Sequence, residues 1–86
     1  MSTTLHFFYI LYSQKLDRYY IGSCSVPIHD RLRRHLSNHN GYTARVKDWK
    51  IVYSECFSSI NLARKREFQV KKWKSRILIE QLIQSI

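Results

Sequence analysis

His6-Phe7-Phe8-Tyr9-Ile10-Leu11-Tyr12-Ser13, followed after Gln14-Lys15-Leu16-Asp17-Arg18 by Tyr19-Tyr20-Ile21-Gly22-Ser23-Cys24, is the stretch on which the fold turns. Both runs are rich in aromatic and aliphatic residues, and the charged segment between them carries a turn-prone Asp. They predict an antiparallel hairpin of strands 6–13 and 19–24. In the first strand apolar side chains stand at both parities: Phe7, Tyr9 and Leu11 on one, Phe8, Ile10 and Tyr12 on the other. Successive strand side chains point to opposite faces, so the sheet is expected to be covered on both sides. Helices must supply that cover.

They are found downstream. Ser25-Val26-Pro27 joins a capping-type residue to a proline suited to a first helical turn, and Ile28, Leu32 and Leu36 follow at fourfold spacing. A helix is predicted from about Pro27 to Asn38, stopped by Asn38, Asn40 and Gly41. Trp49 to Tyr53 is strand-like, and a third strand is expected near Lys50 to Cys56. Ser58-Ser59 then offers an N-cap for a long basic helix reaching at least Lys74, with a last helical segment at Ile77 to Ile83, separate or continuous. The order β-β-α-β-α-α describes an α+β fold in one domain, residues 1–86, without repeats or low-complexity segments.

Fifteen Lys and Arg against six acids give a formal charge of +9. Such an excess favours polyanions through phosphate contacts and counterion release, so nucleic acid is the first partner to consider; a generally basic surface explains charge alone equally well. No stretch approaches the ~20 apolar residues of a membrane span, and no basic segment followed by a long apolar run opens the chain. The expectation is a cytoplasmic protein with no membrane and no obligate protein partner. Cys24 and Cys56 stand far apart without a CxxC pair and are expected as free thiols. Together with His35 and His39 they match no common zinc-finger spacing.

Several polar residues fall where chemistry is conceivable. Tyr9 and Tyr20 come to near-equivalent heights on the predicted hairpin, where two phenols can position a water, although strands favour tyrosine for packing alone. Gly22 within a strand allows close approach by another element. Arg31 and His35, four residues apart, share one face of the first helix, and Arg31 adjoins its apolar stripe. A planar, permanently charged guanidinium suits the charge that builds on a phosphodiester during cleavage. His35 can donate to phosphate, orient a tyrosine or shuttle a proton. Glu67 falls among Ile60, Ala63 and Val70 on one helical face, so its carboxylate requires either an ion pair with Arg64, Lys71 or a more distant arginine, or a divalent metal. Arg33, Arg34, Arg45, Lys65, Lys71, Lys72 and Lys74 are candidates for contact with a nucleic-acid backbone. Trp73 either stacks on a base or anchors its helix to the core.

The run Tyr20-Ile21-Gly22, eleven residues after Tyr9, with Asp30-Arg31-Leu32-Arg33-Arg34-His35, Thr43 and the Glu67 helix, resembles the GIY-YIG nucleases over nearly the whole chain. The similarity is to the small stand-alone bacterial type and to the N-terminal catalytic domain found in an excinuclease. It implies the GIY-YIG fold, a three-stranded antiparallel sheet flanked by helices. It further implies a metal-dependent DNA endonuclease, of the kind used in DNA repair, leaving 5′-phosphate and 3′-hydroxyl ends. Tyr9 and Tyr20 would be the two motif tyrosines, the second acting as general base. Arg31 would hold the phosphate oxygens, His35 would be a further catalytic residue, and Glu67 would be the lone protein ligand of Mg²⁺ or Mn²⁺. Phe7-Phe8-Tyr9 departs from Gly-Ile-Tyr in the first half-motif, and Ser23 stands where some relatives carry a lysine. Duplex, single-stranded and branched DNA are equally open as partners. The alternative is a non-catalytic nucleic-acid-binding module on the same fold.

Overall fold

A computed structural model describes residues 5–37 and 41–85 of the chain. The expected helix-stopping Asn38 and Asn40, and His39 of the zinc reading, lie outside the described residues. The hairpin forms as β1 (His6–Ser13) and β2 (Arg18–Cys24), and β3 (Lys50–Phe57) pairs antiparallel on the other side of β1. The sheet order is β2-β1-β3, which makes β1 central and leaves β2 as an edge. Three helices complete it: α1 (Ile28–Leu36), α2 (Ile60–Trp73) and α3 (Arg76–Gln84), with a short 3₁₀ turn at Tyr42–Arg45. Among the described residues no helix is long and apolar enough to cross a membrane.

The double parity of β1 is used as expected. Tyr9 and Leu11 join Cys24 and Trp49 in one apolar cluster, against which Ile28, Leu32 and Leu36 of α1 pack. Phe8 and Ile10 join Val70 in another, covered by Trp73 of α2 and by Ile79, Leu82 and Ile83 of α3. Each fully buried side chain of this kind contributes about 1.5–3 kcal/mol, so a central strand buried on both faces is the most strongly held element.

The register corrects the expected level placement of the tyrosines. Tyr9 faces Gly22 and Leu11 faces Tyr20, so the two phenols are diagonal neighbours, two residues out of step on one face. The other corrections concern element ends. The first helix begins at Ile28, with Pro27 as its cap, and ends at Leu36, because the Ser37 N–H and Oγ both donate to the Arg34 carbonyl. The third strand continues to Phe57, paired with His6. The long helix stops at Trp73: Lys74 turns left-handed at φ 48°, and Ser75 caps a distinct α3 by accepting from the Leu78 N–H. Trp73 anchors α2 to the core, with the Arg66 guanidinium 5.8 Å above its ring.

Candidate active site

Tyr9 is 1% exposed, and its phenol crosses the sheet toward β2 directly over Gly22. A Cβ at residue 22 would lie 2.6 Å from Tyr9 Oη and 2.7 Å from Cζ, so only glycine fits there. The α1 face then supplies two partners one turn apart. Tyr9 Oη is 2.9 Å from His35 Nε2, and Arg31 Nε donates to the same oxygen at 3.5 Å. The imidazole is itself 7% exposed and held at its far side, with Nδ1 2.8 Å from Thr43 Oγ1. With Arg31 donating to its oxygen, the Tyr9 hydroxyl is free to donate a hydrogen bond to Nε2, which matches the tautomer that carries its proton on Nδ1 and donates to Thr43.

Thr43 is in turn placed by Trp49, whose indole N–H donates to the Thr43 carbonyl at 2.9 Å. The preceding Asp48 is tied to the hairpin: Ser13 Oγ donates to Asp48 Oδ1 at 2.6 Å and the Lys15 N–H to Oδ2 at 2.9 Å. Those donors hold the Asp48 carboxyl below its usual range, the Ser13 bond most of all. A chain of contacts thus runs from the hairpin through residues 48, 49 and 43 to His35. Burial is the main cause that pushes the Tyr9 phenol up to about 12, while the Arg31 bond pulls the other way. Tyr20, half-buried, lies with its ring 4.9 Å from His35 and 6.4 Å from Tyr9. Tyr9, Tyr20, Arg31 and His35 are therefore brought together on one face of the sheet.

Glu67 approaches from the other face. Its carboxylate accepts from Ser23 Oγ at 2.6 Å through Oε1 and from Lys71 Nζ at 2.5 Å through Oε2, with the side chain 21% exposed. Ser23 follows Gly22 on β2, so the tyrosine cluster and the carboxylate straddle one edge strand. Among the described residues no group of three or more His, Cys, Asp and Glu converges as a metal cage. A single partly exposed carboxylate fits one hydrated divalent ion that takes its remaining ligands from water and phosphate, provided that the Lys71 ammonium gives way on Oε2. The two cysteines are free thiols, Cys24 buried and Cys56 exposed, and burial raises the Cys24 thiol.

Of the candidate backbone contacts, Arg33, Arg34, Arg45, Lys65, Lys71, Lys72 and Lys74 are all exposed. Arg33 makes an open ion pair with Asp30 at 3.4 Å, and Lys71 is spent on Glu67. The sequence named Ser23 and Thr43 without giving either a contact: Ser23 orients Glu67, and Thr43 holds the far side of His35. Phe68 is 68% exposed on α2.

A family model described as the GIY-YIG catalytic domain matches residues 5–80. Comparison with curated proteins and with solved structures gave no match. With its strand order, its two motif tyrosines across the hairpin and a family match over nearly its full length, the chain belongs to the GIY-YIG family, a family of nuclease type.

Proposed function

We propose that the chain is a metal-dependent endonuclease that hydrolyses DNA phosphodiester bonds to 5′-phosphate and 3′-hydroxyl ends. The observation that carries this reading is the convergence of Arg31 and His35 on the buried Tyr9 phenol, beside the more accessible Tyr20. Tyr9 is too buried to meet the attacking water and keeps its proton at neutral pH. It positions Arg31 through its oxygen and is itself positioned by His35. Tyr20, edge-on against the imidazole, is the phenol that reaches substrate; it releases its own proton to solvent and, as phenolate, takes the proton of the attacking water.

Arg31 binds Tyr9 through Nε alone, which leaves its terminal nitrogens for the non-bridging oxygens of the scissile phosphate. The water oxygen bonds to phosphorus as the bond from phosphorus to the 3′ oxygen breaks, in line, and the leaving oxygen takes a proton from solvent. Glu67 would hold Mg²⁺ or Mn²⁺, which supplies Lewis-acid polarisation of the phosphate when bound. The exposed cations of α1 and α2 supply the sequence-independent attraction to DNA.

One observation favours a binding module without catalysis: both Glu67 oxygens are already engaged by the protein. Labelled duplex, single-stranded and branched DNA, incubated with Mg²⁺, Mn²⁺ or EDTA, separates the two. Metal-dependent cutting that is lost in folded Glu67→Ala and Arg31→Ala supports the nuclease. Equal DNA binding by wild type and Glu67→Ala with no cutting of any substrate supports the module.

A further inference from the structure

On the α2 and α3 side of edge strand β2 lies a cleft of about 270 Å³. Ile21, Val70 and Ile79 line it with apolar surface, and Arg18, Lys71, Lys74 and Arg76 bring four cations to it, with Asp17 the one acid. Lys71 is the residue that pairs with Glu67, so the cleft adjoins the carboxylate. Ile21 precedes Ser23 by two residues on the same face of β2, a step of about 6.6 Å along the strand. The cleft therefore follows the Glu67 side of the proposed reaction centre along β2, while the tyrosine cluster lies across the same strand.

The backbone around it is held in an uncommon form. The two non-glycine residues with left-handed φ among the described residues, Asp17 at 52° and Lys74 at 48°, both line the cleft. Such conformations are costly for a residue with a side chain and persist only when their surroundings enforce them. Aspartate tolerates the left-handed region better than most residues; a lysine at a helix end where glycine is usual has no such excuse. Arg76 fixes the geometry by donating to the Asp17 carbonyl at 2.9 Å and to Asp17 Oδ1 at 2.6 Å, which clamps the hairpin turn onto the start of α3.

That clamp also removes the opposing charge. The Asp17 carboxylate is taken by Arg76 and by the Tyr12 hydroxyl, which hold it below its usual range. Glu80 is taken by Arg76 and Tyr19. Arg18 and Lys74 form no ion pair among the described residues. An apolar floor with two cations outside any ion pair, Arg18 and Lys74, at its rim matches a nucleotide, with its base against Ile21, Val70 and Ile79 and its phosphate at Arg18 and Lys74. The volume falls just below the roughly 300–1,000 Å³ of drug-sized pockets, and suits one nucleobase.

We propose that this cleft receives one unpaired nucleotide of the substrate strand next to the bond that is cut. The inference rests on the DNA-nuclease reading and deepens it. A base must leave the stack to enter, which is costly in duplex and least so where it is already unpaired. Single-stranded or branched DNA is then the preferred substrate over continuous duplex.

The test is amide-resolved NMR of the whole chain in EDTA, so that no DNA is cut, titrated with a short single-stranded oligonucleotide, a blunt duplex of the same sequence and inorganic phosphate. The expected result is shifts at Ile21, Lys74 and Ile79 with the single strand and not with the other two. A single abasic position at the bound nucleotide weakens affinity at least about fivefold, as expected where a base makes substantial contact. Lys74→Gly keeps the left-handed turn while removing the cation, and lowers the salt slope of single-strand binding by about 0.7 with no loss in melting temperature. Oligonucleotide binding whose shifts stay on the α1 face, or shifts reproduced by phosphate alone, overturns the nucleotide cleft and leaves the DNA reading standing. Absence of binding to any DNA overturns both.

Discussion

Tyr9 and Gly22 are cross-strand partners, and the phenol of one occupies the space that any side chain on the other would need. Glycine in the second half-motif is thus a packing requirement of the tyrosine in the first. The two half-motifs are one physical unit, although twelve residues lie between these positions in the chain.

Gly22→Ala is expected to destabilise the fold by about 1–3 kcal/mol, because the β-carbon meets a ring that the core holds in place. In a Tyr9→Ala background the same change should cost much less, since the obstructing ring is gone. Urea denaturation of the two single variants and the double variant measures this coupling. Additive costs would show that the clash is relieved elsewhere.

The raised Tyr9 proton affinity predicts a specific alkaline loss of stability. A phenol at 10.0 unfolded and about 12 folded is held more tightly by the native state. Its contribution is complete below pH 10 and is lost as pH rises to 12, by about 2–3 kcal/mol. Tyr9→Phe should be less stable at pH 8, where the His35 and Arg31 contacts are lost, yet show a shallower decline between pH 10 and 12. Denaturation midpoints across that range decide it; parallel declines would contradict the assignment.

Thr43→Val removes one hydrogen-bond partner of the buried imidazole while keeping shape. Leaving His35 Nδ1 without its Thr43 contact is expected to cost about 1–3 kcal/mol. Because His35 also holds the Tyr9 oxygen, the rate of DNA cutting should fall in the folded variant. Thr43→Ser, which keeps the hydroxyl, should restore most of both quantities.

Ser23 and Lys71 act on Glu67 in opposite senses. The Ser23 hydroxyl orients the carboxylate, whereas the Lys71 ammonium competes with any metal for it. Ser23→Ala should weaken Mn²⁺ binding about 10–100-fold, the range typical of residues that support a metal ligand. Lys71→Met should strengthen it in the absence of DNA. Electron paramagnetic resonance of free Mn²⁺ measures both without reference to cutting, and equal affinities in all three proteins would remove Glu67 from metal binding.

The hairpin, the two-sided burial of β1, the apolar stripe of α1 and the capped start of α2 were all legible in the sequence, because period-two and fourfold patterns are local and survive without knowledge of the partner. Tyr9, Arg31 and His35 were legible as a set through the family resemblance and through helical spacing. Element ends were less so. The break at Lys74 depends on a left-handed residue and a serine cap that propensity alone does not single out, and β3 extends to Phe57 because His6 is there to pair with it.

By itself, the sequence determined the order of elements, which faces they bury, the basic character of the surface and the family. Tertiary structure decided which polar atoms meet: His35 with Tyr9, 26 residues away, Glu67 with Ser23, 44 residues away, and Arg76 with Asp17, 59 residues away. The physical reason is range. Apolar periodicity repeats within each element and needs only a face to bury, whereas a hydrogen bond depends on two particular atoms at one distance and angle. Register, stagger and helix docking set those distances, and none of them is written in any single stretch of the chain.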